Sequence, residues 1–123
     1  MCGIVGLFAK SGAIEANLGS HIADMLIQMT ERGPDSAGVA VYRNSVGKDK
    51  TKMSLYHPDL EYDWNNLKNE LDSTFGGETE LDVRVNHGLV VVNAAAAEVR
   101  DWLDANHPEL SLMSDGDAIE IYK

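Results

Sequence analysis

This sequence predicts a mixed α and β protein, α/β in its first part and α+β in its second. Three observations lead there. An apolar run at residues 3–9 (GIVGLFA) is followed by a helical stripe and then a second β-type run. From residue 51 onward, β-type stretches and helical stripes alternate in the order β-α-β-β-α-β. Between the two parts lies a polar, glycine-containing stretch at 44–50 (NSVGKDK), which reads as a loop or linker.

The run at 3–9 has β-branched residues and no polar position to face water, and Lys10-Ser11-Gly12 ends it. It reads as a strand buried on both faces. Leu18, Ile22, Met25, Leu26 and Met29 recur at offsets of one helical face, which predicts an amphipathic helix over 17–31. Gly33-Pro34 stops that helix. Residues 37–43 (AGVAVYR) return to a β pattern. A strand, a helix and a strand bury too little surface to stand alone, so residues 1–50 need cover from elsewhere.

Residues 52–56 predict a short strand. Trp64, Leu67, Leu71 and Phe75 share a helix face over 63–75, with Gly76-Gly77 as its end. Leu81, Val83 and Val85 alternate with charged and polar residues, as on a half-buried strand. Asn86-His87-Gly88 reads as a tight turn and 89–93 as the next strand. Asn93 suits the cap of a helix over 94–106, with Val99, Trp102 and Leu103 inward and Pro108 beyond its end. Residues 110–113, a Ser114-Asp115-Gly116 turn and 118–122 close the chain in β structure. This βαββαβ order over 51–123 is the ferredoxin-like arrangement, a four-stranded antiparallel sheet with two helices on one face. Trp64 and Trp102 read as core residues of that face.

Charge divides the same way. Residues 1–50 carry five Lys/Arg and five Asp/Glu, whereas 51–123 carry five and fifteen, so the formal charge of −10 lies wholly on the second part. Such a surface repels phosphate backbones, which excludes nucleic acid as the expected partner. No apolar run reaches the roughly 18–20 residues of a membrane span. Neither a secretory nor a lipoprotein leader precedes Cys2, and position 2 is not the glycine of a myristoylation site. A single cysteine and no leader predict a cytoplasmic protein.

Cys2 is that single cysteine. Removal of Met1 leaves it with a thiol and a free α-amine on one carbon. A thiol needs a base to become a nucleophile. The α-amine, with an ordinary pKa of about 7.7–8.0, is the base nearest neutrality that a chain terminus supplies. Downstream, Arg32-Gly33-Pro34-Asp35-Ser36-Ala37-Gly38 joins the first helix to the second β run. Alone it reads as a turn, built from ordinary turn residues.

Together, MCGIVG and RGPDSAG resemble the start of class II glutamine amidotransferase domains, over residues 1–43. The resemblance implies an N-terminal-nucleophile hydrolase of four-layer αββα fold, of which 1–50 would be an incomplete opening segment. It implies glutamine as substrate. By that resemblance the Cys2 thiolate would attack the carboxamide carbon, the α-amine would take the thiol proton and pass one to the leaving ammonia, and water would hydrolyse the γ-glutamyl thioester. It also implies supporting roles for Arg32, Gly33, Asp35 and Ser36 beside the nucleophile, Arg32 as a cation favouring thiolate. No cofactor is called for.

The family's carboxylate-binding arginine, its Asn-Gly oxyanion pair and its amine-binding aspartate have no match here, and Asn86-His87-Gly88 is not that pair. Losing an oxyanion hole removes around 3 kcal/mol of barrier lowering, so this chain by itself is expected to have little glutaminase activity. The arrangement resembles the amidotransferase-like subunit of glutamate-synthase-like complexes, including N-methylglutamate synthase. That implies a synthase subunit as partner and 51–123 as an inserted domain. The chain then reads as a fragment, a truncated product or one part of a split enzyme, with an oligomer allowed. The alternative is a non-catalytic ferredoxin-like binding or assembly module with a vestigial start. His21, His57, His87 and His107 are scattered without metal-ligand spacing, so no metal site is expected. GxGxxG and GxxxxGK[ST] are both absent, and no internal repeat of solenoid length occurs.

Overall fold

The structure, a computed structural model, describes residues 2–123. The chain divides into two compact units, the first ending at Ala37 and the second running Gly38–Lys123. Together they mix α and β structure with two antiparallel sheets, as the α+β expectation requires.

The first unit is helical. A short helix α1 (Gly12–Ala16) starts at Ser11, whose hydroxyl accepts from the Ile14 amide. Helix α2 (Leu18–Gln28) follows, then a 3₁₀ turn Thr30–Arg32 ended by Gly33. The stripe Leu18, Ile22, Met25, Leu26 and Met29 is half-buried while its neighbours are exposed, so the helical period was read correctly. The strand expected at 3–9 does not form: these residues carry no regular structure, with Ile4 95% and Phe8 82% exposed. A strand exists through hydrogen bonds to another strand. The first unit's described residues contain none.

The second unit holds strands β1 (Val39–Tyr42), β2 (Thr51–Tyr56), β3 (Glu80–Arg84), β4 (His87–Val92), β5 (Ser111–Gly116) and β6 (Ile119–Tyr122), with helices α3 (Trp64–Phe75) and α4 (Ala96–Asn106). Four strands form one antiparallel sheet in the order β3-β4-β2-β5. Side chains alternate across it, sending Met53, Leu55, Val90 and Val92 to one face. Trp64, Leu67 and Leu71 of α3 and Val99 and Leu103 of α4 complete a core there, with Trp102 packed beside them. Helix α3 is well bounded: the Asp63 carboxylate accepts from the Asn66 amide at 3.0 Å, and Gly76 ends it at φ 70°. Gly88 lets Trp64 lie on β4, since a Cβ there would meet the indole ring.

Three local readings are corrected. The turn between β3 and β4 is Val85-Asn86, with Val85 at φ 58°, and His87 and Gly88 belong to β4. Pairing of Arg84 with His87 sets that register. Ser114, Asp115 and Gly116 are not a turn but the end of β5, paired with Ser54, Met53 and Lys52. Sheet pairing outweighs their turn propensity. Asn93 does not cap α4; Ala95 occupies that position without a side-chain cap.

β1 and β6 pair only with each other, Val39 opposite Tyr122 through Tyr42 opposite Ile119, and form a two-stranded ribbon. The βαββαβ run thus lies between two strands that are neighbours in space.

One pH effect follows from α3. Asp72 takes hydrogen bonds from Lys68 Nζ at 2.8 Å and the Thr79 amide at 2.6 Å. These, the lysine first, lower its pKa from 3.8 to about 2. The unfolded chain therefore binds the proton first on acidification. The contribution is complete above pH 4 and is lost as pH falls towards 2. Asp72→Asn is expected to flatten that limb in urea titrations at stepped pH; an unchanged slope would contradict it.

Candidate functional site

Cys2 is an exposed free thiol in the unstructured lead-in to α1. Its neighbour Gly3 packs against the far end of α2. A Cβ built on Gly3 would collide with Met29 Cε and sit 3.5 Å from both Cβ and Cδ of Arg32. The 3₁₀ turn brings Arg32 there: its amide donates to the Met29 carbonyl at 2.9 Å, which tightens the helix end. The structure thus places Arg32 beside the residue that follows Cys2. Gly33 closes the turn at φ −158°. Asp35 and Ser36 lie exposed in the irregular stretch leading to β1. Among the described residues, no hydrogen bond or ion pair joins Cys2, Arg32, Asp35 and Ser36 to one another. Removal of Met1 concerns a residue outside the described ones.

Chemically, the first unit offers a soft nucleophile with a guanidinium-bearing side chain packed against the adjacent residue. The signal for that packing was Gly3 itself, where a Cβ would require the Met29 side chain to move aside.

Sequence reasoning missed two polar clusters in the second unit. Under the ribbon, Lys52 Nζ lies 3.2 Å from Glu120 Oε1, and both residues are buried. The other surrounds His107, which ends α4. Its Nε2 is 2.8 Å from Glu70 Oε2, and its Nδ1 is 3.2 Å from both Glu109 Oε1 and the Tyr62 hydroxyl. His57 stacks on Tyr62 at 4.4 Å between ring centroids. Burial, then Glu109, Glu70 and Asp63, push the Tyr62 hydroxyl up to about 12. This cluster ties α3, α4 and the following loop together. His87 lies buried, which pushes its pKa down, and His21 is exposed on α2. Among the described residues, no three His, Cys, Asp or Glu side chains are grouped to hold a metal ion. None of the described helices is long and apolar enough to cross a membrane.

No family model matches the chain, and neither does any solved structure. One curated protein is similar: the glutamine amidotransferase-like protein GlxB of Rhizobium meliloti (strain 1021), 43% identical over 124 aligned positions. The alignment takes in 100% of this chain but only 40% of that protein's length. Over its whole extent, then, the chain is similar to part of a longer relative, and the likeness supports a glutamine amidotransferase-like family.

Proposed function

We propose that this chain is the nucleophile-bearing part of a class II glutamine amidotransferase. It would release ammonia from glutamine for a glutamate-synthase-like partner in the cytoplasm. The observation that carries the reading is the joint presence of Met1-Cys2-Gly3-Ile4-Val5-Gly6 and Arg32–Gly38 in a chain 43% identical to an amidotransferase-like protein. In this reading Cys2 attacks the carboxamide carbon and its own α-amine takes the thiol proton, then returns one to the departing ammonia. Arg32 supplies positive charge beside the thiolate, while Gly33, Asp35 and Ser36 shape the loop.

Residues 1–50 would open the N-terminal-nucleophile hydrolase, and 51–123 would contain its inserted ferredoxin-like domain. The sheet order β3-β4-β2-β5 supports the second assignment. The pairing of β1 with β6 supports insertion, since the chain leaves on one strand and returns on its neighbour. Exposure of Ile4 and Phe8 fits a segment that needs further polypeptide to cover it.

The test is covalent. Intact-mass analysis should show loss of Met1, and 6-diazo-5-oxo-norleucine should add a single adduct at Cys2. Retained Met1 in the working protein, or no adduct there, favours the non-catalytic module instead.

A further inference from the structure

We infer that the β1–β6 ribbon is a strap, held on the sheet by one buried polar latch centred on Glu120, and that it lifts as a unit without unfolding the core. The two faces of the sheet are covered in different ways. The helix side is an apolar cluster of nine buried residues, from Met53 to Leu103. On the opposite side, β2 presents Lys52, Ser54 and Tyr56, and β4 presents His87, Leu89 and Val91.

Val39 and Val41 share the ribbon's inner face with Glu120, and Val91 is buried on the sheet face below, but the hydrogen bonds that fix the ribbon converge on few atoms. Lys52 and Glu120 are 4% and 2% exposed. Lys52 Nζ donates to Glu120 Oε1 at 3.2 Å and to the Asn44 carbonyl at 3.0 Å. The Tyr122 hydroxyl donates to Glu120 Oε2 at 2.9 Å, and Arg43 Nε stands 4.0 Å from the same oxygen. The Ile121 amide donates to Ser54 Oγ at 3.1 Å, and the Lys123 amide to His87 Nε2 at 3.1 Å. Arg84 lies over the Tyr122 ring, 5.6 Å from its centroid.

Two strands alone are marginal in water, so the ribbon keeps its shape by being docked. A buried ion pair adds little net stability once desolvation is counted, yet removing one partner strands the other charge. Lys52, Tyr122 and Arg43 converge on the Glu120 carboxylate, so its loss strands a buried lysine beneath the ribbon and weakens docking as a whole, which marks the ribbon as the low-stability unit of an otherwise well-packed domain. Its connections suit a hinge. Gly47 at φ 91° lies in the loop to β2, and Gly116 at φ 157° ends β5 before the two-residue link to β6. Loop and link are themselves joined, Arg43 amide to Ala118 carbonyl and Val46 amide to Asp117 carbonyl, so they travel together.

Hydrogen exchange read by mass spectrometry on the whole chain tests this. Glu120→Gln is expected to speed exchange at 39–42 and 119–122 by about a hundredfold, with 53–55, 67–71 and 90–92 unchanged. Lys52→Met combined with Glu120→Leu, which replaces the pair by apolar groups, is expected to restore slow exchange in the ribbon. The inference is overturned if Glu120→Gln accelerates core and ribbon alike, leaves the ribbon protected, or prevents folding. It is equally overturned if the double variant leaves the ribbon open. None of these outcomes depends on glutamine chemistry, so the strap and the proposed activity stand or fall separately.

Discussion

Leu67→Ala is expected to destabilise the Gly38–Lys123 unit by about 3 kcal/mol. Leu67 is fully buried in the first turn of α3, in the same cluster as Met53, Leu55, Val90 and Val99. The alanine removes transfer free energy and leaves a cavity whose walls belong to two helices and a sheet. Those walls cannot all move in. Small domains hold only some 5–15 kcal/mol in total, so the loss is a large share of what exists. The chevron midpoint in urea should fall markedly, whereas Asn65→Ala on the exposed side of the same helix should leave it within about 0.5 kcal/mol. Equal effects from the two would mean that α3 does not bury the face assigned to it.

Local signals made much of the second unit legible. Asp63 at the start of α3, Gly76 at its end, and apolar residues spaced by three and four between them are features of one short stretch. The order of strands and helices follows from such stretches. What failed was whatever depends on partners far along the chain. Residues 3–9 announce a need for burial, but apolar composition does not say which strand will pair with them, and in the described chain none does. Ser114-Asp115-Gly116 has turn chemistry, yet β2 offers open hydrogen-bonding groups and the segment extends to meet them. The ribbon was invisible because Val39 and Tyr122 lie at opposite ends of the βαββαβ run. Glu120 gave one faint sign: an acid between Ile119 and Ile121 in a strand demands either solvent or a buried cation, and Lys52 is that cation.

The candidate site was legible only as two motifs. That Gly3 rests against Met29 and Arg32 depends on how the chain start crosses the end of α2, which no local pattern encodes. This packing matters for the largest effect expected of any substitution here. On the proposed reading, in a complete glutamine amidotransferase containing this chain, Cys2→Ala should lower glutaminase turnover by at least about 10⁴-fold, since loss of a covalent nucleophile removes the pathway and leaves only binding and polarisation. Cys2→Ser keeps the α-amine but offers a far weaker nucleophile at neutral pH, and it should fail nearly as badly. Arg32→Ala should act differently. In the proposed reading Arg32 supplies positive charge beside the nucleophile, so Arg32→Ala should lower kcat/KM while Arg32→Lys, which keeps the charge, should recover most of it. A loop contribution from Arg32 that is merely structural would not be rescued by the lysine. Should Cys2→Ala still turn over glutamine at the wild-type rate, the thiol is not the nucleophile and the chain start is a docking segment.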